Sequence, residues 1–138
     1  MNMIECYKTK NFLLEYNEKT KILHQTWVGF MKLEDFKRCC DEIFNACRDY
    51  DVIAYISDST KQSIVPQGGV EYAARLSPKV KEFGVLFETH VIPENLFAEL
   101  SVDKYYEDEA VNGGVANKFV SVEQAEKWIL EKYQESEA

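Results

Sequence analysis

The sequence predicts an α/β domain built on a mixed sheet of about five strands, with a leading antiparallel hairpin and βα crossovers behind it. Three observations carry this. Two short β-type runs, Phe12-Leu-Leu-Glu-Tyr16 and Ile22-Leu-His-Gln-Thr-Trp27, are joined by the polar linker Asn17-Glu-Lys-Thr-Lys21, which has hairpin length. Downstream, β-rich runs alternate with stretches of helical periodicity, the order that builds parallel strand pairs through right-handed crossovers. The last helical stretch opens on a capping box, Ser121 with Gln124 three residues on.

Each element follows from local chemistry. Val28-Gly29-Phe30 breaks the second strand, and Leu33, Phe36, Cys40, Ile43 and Cys47 then recur at helical spacing, with Glu34, Asp35, Lys37, Arg38, Asp41 and Glu42 between them. Acids in the first turn suit the helix dipole. Residues 52–56 read as a third strand that empties into Ser57-Asp58-Ser59-Thr60 and a long loop over residues 57–69. A helix over residues 70–83 contains Pro78, which removes a backbone hydrogen bond and predicts a bend or two shorter pieces meeting at Ser77-Pro78. Gly84 is a natural stop.

Val85-Leu-Phe-Glu-Thr-His-Val-Ile92 reads as the next strand, closed by Pro93 and followed by a helix from near Leu96-Phe97. Beyond it, residues 102–110 mix aromatic residues with a dense acidic run, either a short helix or an irregular segment before the turn Asn112-Gly113-Gly114. Lys118-Phe-Val120 is a short terminal or edge strand, and Val122, Ala125, Trp128, Ile129 and Tyr133 form the stripe of the last helix. The order is β-β-α-β-α-β-α-β-α. Crossovers stepping in one direction gather the helices on one face and leave the other open, with Glu88 and His90 turned away from Val85, Phe87 and Val91. A common core of Phe36, Ile43, Ile53, Val85, Phe87, Phe119 and Trp128 is expected, and the open face and free sheet edge predict a symmetric homodimer.

Length and composition bound the function. A chain of 138 residues, 46% hydrophobic, fits one domain over residues 1–138. Its apolar runs fall far short of the ~20 residues that span a bilayer, so no membrane span is expected. Met1-Asn-Met-Ile-Glu-Cys-Tyr-Lys lacks the pattern of a secretory signal, which points to the cytoplasm. The net charge of -8, with basic residues scattered among acids, argues against nucleic acid as a partner. Cys6, Cys39, Cys40 and Cys47 lack zinc-type spacing, so they are expected as free thiols, Cys40 and Cys47 buried and Cys39 the partly exposed, reactive one. No metal or cofactor is expected.

The candidate site is Ser57, Asp58, Ser59 and Thr60, because ligands and partners of open α/β sheets gather outside the carboxyl ends of the strands. The long loop it opens suits a partner-recognition surface; the same hydroxyls also suit helix or turn caps. His24 and His90 form an acid-base pair only if they share a sheet face, with Glu88 near enough to orient one of them. Tyr105-Tyr106 reads as core rather than a stacking platform, and neither Gly68-Gly69 nor Gly113-Gly114 carries the surroundings of a phosphate-binding loop.

The hairpin ending in Trp27-Val-Gly29-Phe30, Asp58 closing the third strand, the helix end from Pro78 to Gly84, and Phe119-Val-Ser-Val-Glu-Gln-Ala-Glu-Lys-Trp128 resemble the STAS/SEC14-type, SpoIIAA-like family of small bacterial domains. The resemblance runs from Phe12 to Tyr133. It implies a STAS-like fold without an assigned reaction, within a superfamily of anti-sigma-factor antagonists and protein-protein switches. In those antagonists a serine in an Asp-Ser-Ser-Gly motif is phosphorylated; here Asp58-Ser59-Thr60-Lys61 stands nearest and lacks the glycine. Ser59 is thus a phosphorylation switch, a partner or ligand contact, or a cap. Overall the sequence favours a non-enzymatic protein-interaction or regulatory module, followed by a carrier of a small apolar, lipid-like molecule, and lastly an enzyme.

Overall fold

Among the described residues ten elements follow one another: β1 (Met3–Thr9), β2 (Phe12–Asn17), β3 (Ile22–Gly29), α1 (Leu33–Asp49), β4 (Ala54–Gln62), α2 (Gly69–Glu82), β5 (Phe87–Val91), α3 (Glu94–Val102), β6 (Lys118–Phe119) and α4 (Val122–Glu137). The structure is a computed structural model and describes residues 3–102 and 117–137. The Tyr105-Tyr106 pair, the acidic run Glu107-Asp108-Glu109 and the Asn112-Gly113-Gly114 turn lie outside the described residues.

The described strands form one six-stranded mixed sheet in sequence order. Strands β1, β2 and β3 are antiparallel, and β3, β4, β5 and β6 are parallel. The α/β class, the leading hairpin and the parallel crossovers stand as the sequence predicts. At the β2–β3 turn the Asn17 side chain accepts the backbone N–H groups of Lys19 and Thr20, and Lys21 takes a left-handed φ of 63°. That local bonding fixes the hairpin register.

The first strand is the main addition. Among the described strands Met3–Thr9 pair with β2 alone, and a bulge near Cys6 shifts their register between Glu5 and Tyr7. An edge strand broken by a bulge shows no clean alternation of apolar and polar residues, so its sequence carries no strand signal. Helix α2 runs unbroken through Pro78, so of the two expected outcomes, a bend or two shorter pieces meeting at Ser77-Pro78, the division does not occur. Gly84 ends it as expected, at a φ of 108° with its N–H bonded to Lys81. At α4, Ser121 accepts the N–H of Gln124 at 3.2 Å, and the Gln124 side chain accepts that of Val120 at 3.3 Å.

The sheet buries both faces, which corrects the single common core. On one side α1 and α2 pack together; Phe36, Cys40, Cys47, Val80 and Val85 meet Phe12, Leu14, Leu23 and Trp27 there, with Ile43 partly buried. On the other side α4 lies over β4, β5 and β6. Its Ala125 and Ile129 pack on Ile22, Ile53, Ile56 and Val91, and Phe87, Phe119 and Trp128 close that second core. The open face is therefore covered around β4 and β5, because α4 follows the last strand and is free to return on the far side. Glu88 and His90 turn away from Phe87 and Val91 as expected, but their face is covered and not open, and Val85 shares it. They face the α1–α2 side, and that is the side that holds a cavity.

Candidate functional site

Between the sheet and the α1–α2 layer lies a cavity of about 240 Å³, room for roughly eight water-sized groups. Its helical walls are mainly apolar, with Phe36, Ile43 and Phe44 from α1 and Ala73, Leu76 and Val80 from α2, and Ser77 of α2 is the polar exception. Period-2 alternation selects its floor, since each strand sends every second side chain to this face. Cross-strand register then lines up two rows. Leu23, Tyr55 and Glu88 stand abreast on β3, β4 and β5, and so do Gln25, Ser57 and His90. Val65, 37% exposed in the β4–α2 connection, marks the mouth.

Trp27 organises one end of the floor. Its indole packs on Phe12, with ring centroids 4.4 Å apart, and stacks on Phe36 at 5.2 Å. Buried indole N–H groups need acceptors, and Nε1 donates to Ser57 Oγ at 3.0 Å and to Gln25 Oε1 at 3.3 Å. The Ser57 oxygen is thereby engaged as an acceptor while its own proton remains available to donate.

Glu88 organises the other end. Its Oε1 accepts the Tyr55 hydroxyl at 2.8 Å and the Ser77 hydroxyl at 3.2 Å, and Lys81 Nζ lies 3.5 Å from Oε2. Burial, and then the neighbouring Glu88 carboxylate, push the Tyr55 phenol well above its ordinary range. The Tyr55 ring meets His90 edge-on at 6.1 Å. Burial, reinforced by Lys118, lowers the His90 pKa below the usual 6.5, favouring the neutral imidazole.

The four residues of the sequence-derived site are placed differently from expectation. Strand β4 continues to Gln62, so Ser57, Asp58, Ser59 and Thr60 lie within the strand, and the connection to α2 shrinks to residues 63–68. The physical cause is pairing with β3. Thr26 opposes Asp58 and Val28 opposes Lys61, which leaves one extra residue on β4, a bulge around Ser59-Thr60. Asp58 stabilises the bulge by accepting the Thr60 N–H at 3.0 Å and the Thr60 hydroxyl at 2.8 Å. Ser57 and Ser59 line the cavity, Ser57 almost fully buried, and Thr60 is exposed. Ser59 is therefore not at the head of α2.

Other expectations separate in the same way. His24 opposes Ile56 on the α4 face, so it does not share the face of Glu88 and His90. Cys39 is corrected from exposed to buried, and burial pushes the thiols of Cys39, Cys40 and Cys47 up to about 12. Cys6 is the more accessible one. Among the described residues, no three His, Cys, Asp or Glu side chains converge where they could hold a metal ion, and no helix is long and apolar enough to cross a membrane.

Sequence reasoning missed Gln25, Trp27 and Tyr55 as site residues. Buried polar side chains on strands flanking a βα connection were the available signal. Comparison of the chain with protein-family models, with curated proteins and with solved structures finds no match.

Proposed function

We propose that this chain is a non-enzymatic, STAS-like binding module that carries a small, largely apolar molecule in the cavity between the sheet and α1–α2. The observation that supports this reading is the cavity itself: mainly apolar helical walls over a floor with a few convergent polar groups, the usual make-up of a small-molecule site. Gly69 keeps the helix end close over it. A Cβ there would stand 2.8 Å from Val65 and 3.0 Å from the Phe36 ring.

A regulatory role draws support from a separate feature. Phe30, Ile64 and Val65 are exposed on the connections that follow β3 and β4, with Val70 exposed in the first turn of α2, and Ser63 N–H bonds to the Gly29 carbonyl, tying those connections together. Exposed apolar residues beside a cavity mouth suit a protein partner that senses whether the cavity is filled. Native mass spectrometry of protein purified under gentle conditions tests the carrier reading. It predicts a co-purifying small amphiphile that is lost when Ala73, a cavity-wall residue, is replaced by Phe. Ligand-free protein that takes up no alkyl compound on addition overturns it.

A further inference from the structure

Resting on the carrier reading, we infer that the cavity selects a ligand with an uncharged, hydrogen-bonding head, a hydroxyl or primary amide on a short alkyl body, and discriminates against a carboxylate. The charges around the floor carry this. Among the described residues lining the cavity there is no Lys or Arg, and Glu88 is the one carboxylate. An anionic head brought inside loses its water and faces Glu88, while the nearest cations stay outside the lining, Lys81 held by Glu88 itself and Lys118 beside His90.

A cationic head is disfavoured for a different reason. Tyr55 and Ser77 donate to one Glu88 oxygen, and Lys81 sits against the other. A ligand ammonium would have to displace Lys81, exchanging one ion pair for another while losing its own hydration.

What remains to meet a ligand head is the Gln25–Ser57–His90 row, whose members stand on adjacent strands. Neighbouring strands lie about 4.8 Å apart, so one small polar group reaches two of these side chains at once. Ser57 has a proton to donate because its oxygen accepts from Trp27. A neutral His90 offers one donor and one acceptor. A head that both donates and accepts matches that row, and a hydroxyl or amide does both.

Isothermal titration of the full chain with octan-1-ol, octanoate and octylammonium at pH 7.5 tests the inference. Octan-1-ol is expected to bind at least tenfold more tightly than octanoate, and more tightly than octylammonium. Glu88→Gln should narrow the octan-1-ol to octanoate gap severalfold, chiefly by improving octanoate. Octanoate or octylammonium binding as tightly as octan-1-ol in the unaltered protein overturns head selection while leaving the carrier reading intact. Binding of none of the three overturns the carrier reading itself. The comparison in the unaltered protein decides the matter even if Glu88→Gln fails to fold.

Discussion

Replacing Ser57 by Ala separates a buried strand residue from an exposed loop residue. Ser57 is 8% exposed and its Oγ accepts the Trp27 indole N–H at 3.0 Å. A typical buried hydrogen bond contributes a net ~1 kcal/mol, and orphaning a buried donor costs about 1–3 kcal/mol. Here the indole keeps its longer bond to Gln25 at 3.3 Å, so Ser57→Ala should cost about 0.5–1.5 kcal/mol and stay below the full orphan penalty. Urea unfolding followed by circular dichroism measures it. The same change in a Trp27→Phe background, where no N–H needs an acceptor, should cost about 1 kcal/mol less. A loss within ~0.3 kcal/mol of zero, or an equal loss in both backgrounds, would refute the bond and return Ser57 to the status of an exposed loop hydroxyl.

Gly69→Ala places a methyl group within 3.0 Å of Val65 and Phe36; overpacking of this kind should lower stability by about 1–3 kcal/mol, and an unchanged urea midpoint would show that the α2 head is loose. His24 and His90 both have pKa values lowered below the usual 6.5, chiefly by burial. The unfolded chain therefore takes up protons first, so their contribution is fully present above pH ~6.5 and is lost as pH falls through their folded values, at no more than about 1.4 kcal/mol per pH unit for each. His24→Leu should flatten that decline between pH 7 and 5.5, since His24 Nε2 is buried with no hydrogen-bond partner among the described residues; an unaltered slope contradicts this. In the native protein a maleimide should label Cys6 first, with Cys39, Cys40 and Cys47 reacting only on unfolding. Rapid labelling of Cys39 would contradict its burial.

Much of the fold was legible because its signals are local. The α1 stripe, the Asn17–Lys21 turn and the Ser121–Gln124 capping box each involve residues a few positions apart, and each stands in the structure. Strand β1 was not legible, because an edge strand with a bulge needs only one partner and no buried face. The length of β4 was hidden for the opposite reason. Ser57, Asp58, Ser59 and Thr60 have loop composition, yet Ser57 and Ser59 are polar because they face a cavity, and Asp58 and Thr60 because they bond across a bulge. The two-sided core depends on where α4 returns, a long-range packing choice that no stripe encodes. For the candidate site, the sequence pointed to the right strand and weighed His90 with Glu88, but missed Gln25, Trp27 and Tyr55. Gln25 and His90 flank Ser57 only through cross-strand register, Glu88 stands beside Tyr55 in the same way, and Trp27 reaches Ser57 through its indole N–H.

The central claim, that the cavity accepts a small apolar ligand, is tested most directly with Trp27 as a reporter. The chain has two tryptophans, Trp27 lining the cavity and Trp128 in the opposite core. In a Trp128→Phe protein, titration with octan-1-ol should change Trp27 emission saturably, and adding Ala73→Phe should abolish that saturation while leaving the fold intact by circular dichroism. A change that rises linearly with alcohol and is the same in both proteins would contradict the claim.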